Sequence, residues 1–327
     1  MTSQPPIAQA KLLLIEPDSK HQRTLTRTIR AIAGEVDQRA TLRPESETST
    51  YDIVVVNYDS LSDGDRDALI QRFGGRHGAE EARLLLFSAG RLRDDIVKLA
   101  GSHTLTNVVA RNNDEVDTEA LIVTIRKLLE RDIFGLEKYF IWGVRPVVKT
   151  LASSAEKDPT LRAVEEYAQA LGVQSRFIAQ LCSVADEFIT NAIYNAPRDA
   201  EGRALYAERS RTEPVHLKPS ELVEVRFCCD GHRIGISVAD PFGSLSTETL
   251  LDYLAKCTRR GEDQVDQKPG GAGLGFYYVF ESLSHFVVNI SAGKKTEMIG
   301  IIDVSGSYKD FSLKTKSFNI FFSETAG

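Results

Sequence analysis

Long hydrophobic runs are missing from this sequence. No apolar stretch approaches the roughly 18 residues of a membrane-spanning helix, and the opening residues MTSQPPIAQAK lack a signal-peptide core. A membrane location is therefore not expected, and a cytoplasmic one is. An excess of basic charge is missing as well. Lys and Arg number 40 against 46 Asp and Glu, a net charge of −6, which argues against a general nucleic-acid or anionic-membrane surface. Cysteine is scarce: Cys182, Cys228, Cys229 and Cys257 show no C-x-x-C spacing. They are expected to be reduced thiols and not disulfides or metal ligands. No internal repeat or low-complexity tract is present. No histidine occurs between His103 and His216, so a phosphoacceptor histidine on helices in that interval is excluded. At 327 residues the chain has room for two domains, each with its own core.

The first third alternates strand-like and helix-like segments. KLLLIEPD (11–18), YDIVVVNYD, ARLLLFSAG and TNVVARN are short apolar runs, two of them rich in β-branched residues. Amphipathic segments lie between them, the first with Leu25, Ile29 and Ile32 at helical spacing. The alternation predicts an α/β domain, a doubly wound parallel sheet whose chemistry sits at the carboxyl ends of strands. Those ends read Glu16-Pro17-Asp18, Asn57, Ser88 and Arg111-Asn112. This set resembles a response-regulator receiver domain over about residues 10 to 118. The resemblance implies an acidic pair, matched in part by Glu16 and Asp18, and a phosphoacceptor aspartate. That slot holds Asn57, whose amide is no nucleophile, while Asp59 two residues on is an alternative acceptor. Arg111-Asn112 stands where the family carries Lys-Pro. The expectation is a pseudo-receiver at 1–118, kept as a docking or dimer surface.

From Asp117 to Gly143 the apolar residues Ile122, Ile125, Leu129, Ile133, Leu136 and Phe140 recur at spacings of three and four. One long helix is expected, capped by Asp117 or Thr118. Its stripe either packs on its own domain or forms a homodimer seam. RPVVKTLASSAEKDPTLRAVEEYAQALGV reads as further helix broken at Asp158-Pro159, making 119–174 a helical linker.

The segment KPGGAGLGFYYVFE (268–281) crowds four glycines into six positions. It fails the Rossmann spacing, because Phe276 or Tyr278 stands at the third glycine, and it lacks the Walker lysine and hydroxyl. Elsewhere in this part, LCSVADEFITNAIYNAP places Glu187, Asn191 and Asn195 at i, i+4 and i+8 on one helix face. Such oxygen donors suit Mg²⁺. VEVRFCCDGHRIGISVAD predicts a hairpin turning at Asp230-Gly231 and ending at Asp240. In order and spacing these segments resemble the GHKL ATPases, the class of gyrase and the histidine kinases, over 175–327. That fold is an α+β sandwich of the Bergerat type.

The resemblance implies ATP and Mg²⁺ as ligands. Asn191 would take the metal with Asn195 nearby, Asp240 would accept from the adenine amino group, and Gly243 would end the first glycine box. Gly271, Gly273, Leu274 and Gly275 would wrap the phosphates. Thr296 would lie beside the adenine, and Lys268, Arg259 and Arg260 would come from the lid. Phe242 replaces a glycine of the usual first box. Within the family DEFITNAIYNA is most similar to the anti-sigma-factor serine kinases, in which a glutamate at the place of Glu187 is the general base. The function implied is a bacterial signalling protein that phosphorylates or sequesters a protein partner, anti-anti-sigma-like or sigma-like. The alternative is a non-catalytic module that switches partner binding with its ATP state. The polar stretch 198–220 reads as a surface loop.

Overall fold

A computed structural model describes residues 9–42, 50–73, 83–90, 106–113, 115–199, 201–211, 213–246, 249–250 and 279–323. The protein is of the α/β class, and its chain divides into two compact units. The first comprises Met1–Ile133 with Ser317–Asn319, the second Phe134–Lys316 with Ile320–Gly327.

In the first unit the apolar runs form parallel strands. These are β1 (Lys11–Ile15), β2 (Glu35–Arg39), β3 (Ile53–Asn57), β4 (Arg83–Ser88) and β5 (Asn107–Asn112), in the order β2–β1–β3–β4–β5. Every residue of β3 is buried, as a continuous β-branched run at the centre of a parallel sheet should be. Ser317–Asn319 lies antiparallel beside β5, and the short β6 (Glu115–Val116) pairs with β5 as well. Helix α1 (Ser19–Arg30) begins where the Asp18 carboxylate accepts from the Lys20 and His21 amides. After α2 (Asp63–Phe73), helix α3 (Thr118–Glu130) starts under an Asp117 cap.

The long helix expected over 117–143 stops at Glu130. Arg131 takes a left-handed conformation, φ 57°, and its amide closes on the Lys127 carbonyl. That ending is made by a non-glycine residue, so it leaves no signature in the sequence. The apolar stripe is consequently divided: Ile125 and Ile133 are buried in the first unit, Leu136 and Phe140 in the second.

The second unit is an antiparallel sheet in the order β10–β11–β9–β8–β7. Its strands are β7 (Val147–Leu151), β8 (Val223–Cys229), β9 (Arg233–Asp240), β10 (His285–Ser291) and β11 (Lys295–Asp303). The hairpin at Asp230-Gly231 forms as expected, with Gly231 at φ 90° and the Asp230 carboxylate accepting the amides of residues 232 and 233. Helices α4 (Lys157–Ala170) and α5 (Ser175–Thr190) pack together, and α5 lies on β9 and β11 through Leu181, Val184, Ala185 and Phe188. Helix α6 (Tyr308–Leu313) precedes β12 (Ser317–Ser323).

Two expectations for 145–173 are corrected. Val147–Leu151 is a strand, not helix, because the β-branched Val147, Val148 and Thr150 pair along β8. Pro159 falls in the first turn of α4, where its missing N–H leaves no bond unmade, so it does not break the helix.

Candidate functional site

Helix α5 presents Glu187 near its end, and the chain then makes a π-helical turn over Asn191–Asn195. Such single π turns widen a helix and concentrate at functional positions. The three polar residues read from the sequence are brought into one file. Asn191 Nδ2 donates to Glu187 Oε1 at 3.0 Å, and Asn195 Nδ2 donates to Asn191 Oδ1 at 2.6 Å. Glu187 Oε2 accepts no hydrogen bond among the described residues. Burial pushes the Glu187 carboxyl above its ordinary range, and neighbouring Asp186 adds to that rise. The Asn191 amide, Arg211 and Lys157 oppose it. Among the described residues no group of three or more His, Cys, Asp or Glu could hold a metal on its own. An ion at Asn191 must complete its shell with water and ligand oxygens, the usual habit of Mg²⁺.

The second part of the site lies where β9 ends. Asp240 is buried, accepts the Phe242 amide at 2.9 Å, and has its carboxyl raised to about 6. Burial is the main cause. The amides of Phe242 and Gly243, then Lys295 and Thr296, act against it. Thr296 faces Asp240 in register across β9 and β11. Thr296 lies near enough to favour the carboxylate, yet its hydroxyl makes no hydrogen bond of good geometry. Among the described residues Thr296 Oγ1 makes no well-formed hydrogen bond, in a residue 2% exposed. A buried hydroxyl without a well-formed hydrogen bond is costly, by about 1–3 kcal/mol, so the pair can take up a polar edge.

Gly243 explains why this turn needs its glycine. Its φ is +57°, and an added Cβ would stand 2.1 Å from the Ser291 carbonyl oxygen. The Gly293 amide donates to the Gly243 carbonyl, docking the turn on the β10–β11 connection. Phe242 avoids the left-handed region, so the replacement of a glycine there leaves the turn unstrained. Ser244, which the sequence did not single out, donates its hydroxyl to the Ala196 carbonyl at 2.8 Å. That bond joins the Asp240 turn to the end of the Asn191–Asn195 turn. Its only sequence signal is a serine directly after the first glycine box. Lys268, Gly271, Gly273, Leu274, Gly275, Arg259 and Arg260 lie outside the described residues.

The stretch 198–220, expected to be a plain surface loop, is tied down within the second unit. Val215 is fully buried, its amide donates to Ser154 Oγ, and its carbonyl accepts from the Ser154 amide, both at 2.9 Å. Arg211 stacks on the Tyr194 ring with its guanidinium carbon 3.9 Å from the ring centroid.

At the strand ends of the first unit the polar groups meet one another. Asn57 Nδ2 donates to Glu16 Oε2 at 3.0 Å, the Asp18 amide donates to Glu16 Oε1 at 2.9 Å, and Arg111 stands 3.8 Å from Glu16 Oε2. Asp59 accepts the Ser88 hydroxyl at 2.7 Å and the Ala89 amide at 2.5 Å. Asp18 is occupied as the cap of α1.

No protein-family profile matches the chain, and no curated protein matches it. Among solved structures, a pilus assembly-related protein from Burkholderia pseudomallei is similar at 12% identity and a TM-score of 0.32, over 39% of this chain and 96% of that one. A likeness of that size carries no argument about fold or function. No helix among the described residues is long and apolar enough to cross a membrane.

Proposed function

We propose that the chain is a bacterial signal-transduction protein whose second unit binds Mg²⁺-ATP in the manner of the GHKL ATPases and acts on a protein partner. The observation that carries this reading is the Asp240–Thr296 pair. A buried carboxylate and a buried hydroxyl with no well-formed hydrogen bond among the described residues face each other at the end of two adjacent strands. An adenine edge offers what both require, an amino donor for the carboxylate and a ring nitrogen for the hydroxyl. The file Glu187–Asn191–Asn195 supports the reading at the other end of the site, and the Ser244 bond holds the two ends together.

In this proposal Asn191 holds Mg²⁺ through its side-chain oxygen, with Asn195 fixing the amide's orientation. The bound ion supplies charge neutralisation for the phosphates. Glu187, desolvated on α5 with Oε2 open, takes the proton of a serine or threonine hydroxyl on the partner. The glycines 271, 273 and 275 with Leu274 and Lys268 enclose the phosphates, as the resemblance implies. The first unit fits the receiver-like reading through its strand order β2–β1–β3–β4–β5, which is that of the flavodoxin-like doubly wound sheets. Asn57 at its phosphoacceptor position makes it a docking domain in this proposal.

Calorimetry on the full chain tests the reading. Mg²⁺-ATP should bind to the wild type and to Glu187→Gln, and binding should be lost in Asn191→Ala. Phosphate transfer or hydrolysis should fall about 10²- to 10⁴-fold in Glu187→Gln, because the amide keeps the shape and cannot take a proton. No heat of binding at millimolar nucleotide would overturn the proposal. Tight binding with turnover unchanged in Glu187→Gln would leave the alternative, a non-catalytic module that switches partner binding with nucleotide state.

A further inference from the structure

One cation beside the Glu187 end of the site is not explained by the proposal above. Arg211 comes from the stretch 198–220, outside α5, yet its guanidinium carbon stands 3.9 Å over the ring of Tyr194 in the turn that carries Asn191. Tyr194 is itself buried at 3% exposure. The segment bearing Arg211 is anchored on both sides. Upstream, the Leu205 amide donates to the Pro197 carbonyl at 3.1 Å, and the Asp199 carboxylate accepts the Arg203 amide at 2.8 Å. Downstream, Val215 is held by Ser154, and the Leu217 amide donates to the Ala152 carbonyl at 2.8 Å. Among the described residues the Tyr194 stack is the contact that holds this cation, which leaves its N–H fork to a ligand, and a guanidinium fork matches two oxygens of a phosphate.

The other cation near Glu187 is already engaged. Lys157 Nζ sits 2.7 Å from Asp186 Oδ1. Arg211 makes no ion pair among the described residues, is exposed, and acts on Glu187 through space. It therefore stands at the Glu187–Asn191 end of the site and not at the Asp240–Thr296 end.

We infer that Arg211 contacts the terminal phosphate of the bound nucleotide, so that the protein distinguishes a nucleoside triphosphate from a diphosphate. The inference rests on the nucleotide reading above. It makes 198–220 part of the site, a strap that delivers a cation from outside the helix and glycine segments. Arg211 is in this role a catalytic residue, because it touches the group that is transferred or retained.

The test is calorimetric titration of the full chain with Mg²⁺-ADP and, separately, with a non-hydrolysable Mg²⁺-ATP analogue. In Arg211→Ala the analogue should bind about 10- to 100-fold more weakly, the loss of one charge-assisted contact, while ADP affinity stays within about twofold by the same reasoning. Arg211→Lys should recover part of the analogue affinity, because it restores charge without the fork. A merely structural role for the Tyr194 stack would weaken both nucleotides together and lower the melting temperature, and that outcome overturns the inference. Equal affinities in wild type and Arg211→Ala overturn it too. Wild-type protein that binds neither nucleotide would instead overturn the nucleotide reading itself, and the inference with it.

Discussion

Each unit gathers carboxylates and amides at the ends of its strands, and the two gatherings differ in how far their carboxylates are engaged by neighbouring side chains. In the first unit Glu16 receives Asn57, the Asp18 amide and Arg111, and Asp59 receives Ser88 and the Ala89 amide, while the Asn57 amide oxygen is buried without a hydrogen bond among the described residues. In the second, among the described residues, Thr296 Oγ1 makes no well-formed hydrogen bond, burial raises the Asp240 carboxyl, and one oxygen of Glu187 accepts no hydrogen bond. Carboxylates met by neighbours within their own cluster stabilise the fold and have little to offer a ligand. A cluster that folds with its polar groups unmet remains costly until something binds. The contrast teaches that similar residue types at similar strand ends can be structural in one place and receptive in the other.

The largest effect that would break the comparison lies at Arg111. Arg111→Met should leave the buried Glu16 carboxylate without its cation and destabilise the protein by about 3–5 kcal/mol, read as a shift of the urea midpoint. Adding Glu16→Gln should recover much of that loss, because the uncompensated charge is then gone. A single variant as stable as wild type would mean that the first cluster is not held together by its charges.

Asp240 should respond in the opposite direction. Its carboxyl is raised from 3.8 to about 6 in the folded protein, so the folded state binds the proton more tightly than the unfolded chain. Its contribution in the unliganded protein is therefore favourable at low pH and is lost as pH rises from about 4 to 6. At about 1.4 kcal/mol per pH unit, the penalty above pH 6 is on the order of 3 kcal/mol. Asp240→Asn should consequently raise the melting temperature at pH 7 to 8 and flatten stability across that window. Adenine-nucleotide affinity in the wild type should strengthen as pH rises through about 6, since the ionised carboxylate is the better acceptor, and this dependence should vanish in the variant. A variant less stable than wild type at pH 8 would remove Asp240 from the receptive class.

The smallest effect sharpens the comparison in the first unit. Ser88→Ala should cost about 1–2 kcal/mol in urea unfolding, since it removes the hydroxyl's bond to Asp59 and the one it accepts from the Gly90 amide, with the Ala89 amide still on Asp59. Acetyl phosphate with Mg²⁺ should leave no acid-labile phosphate on the wild-type chain, because Asn57 cannot form an acyl phosphate and Asp59 is engaged. Label at Asp59 would show that the first cluster opens, and the contrast with the second would fail.

Much of this was legible along the chain wherever the relevant contacts are local. The i, i+4, i+8 spacing brought Glu187, Asn191 and Asn195 together, since helical geometry sets their neighbours, and the π turn only adjusted the file. The Asp230-Gly231 hairpin and the buried β3 were legible for the same reason. The end of α3 was not, because Arg131 adopts a left-handed conformation that its residue type does not announce. Strand β7 was missed because Val147 and Val148 have no alternating pattern of their own, and their state is set by pairing with β8. Arg211 was passed over because nothing within 198–220 indicates a target; the ring it stacks on belongs to another segment.

By itself the sequence determined the residue chemistry of this protein, the local spacing that aligns the α5 file, and the turns that glycine requires at 231 and 243. Tertiary structure alone decided that Thr296 stands across from Asp240, that Arg111 meets Glu16, and that Arg211 lies over Tyr194. The reason is physical. Whether a carboxylate or hydroxyl is paired, and how far burial shifts it, depends on atoms contributed by distant segments, and only the folded chain brings those segments within hydrogen-bonding distance.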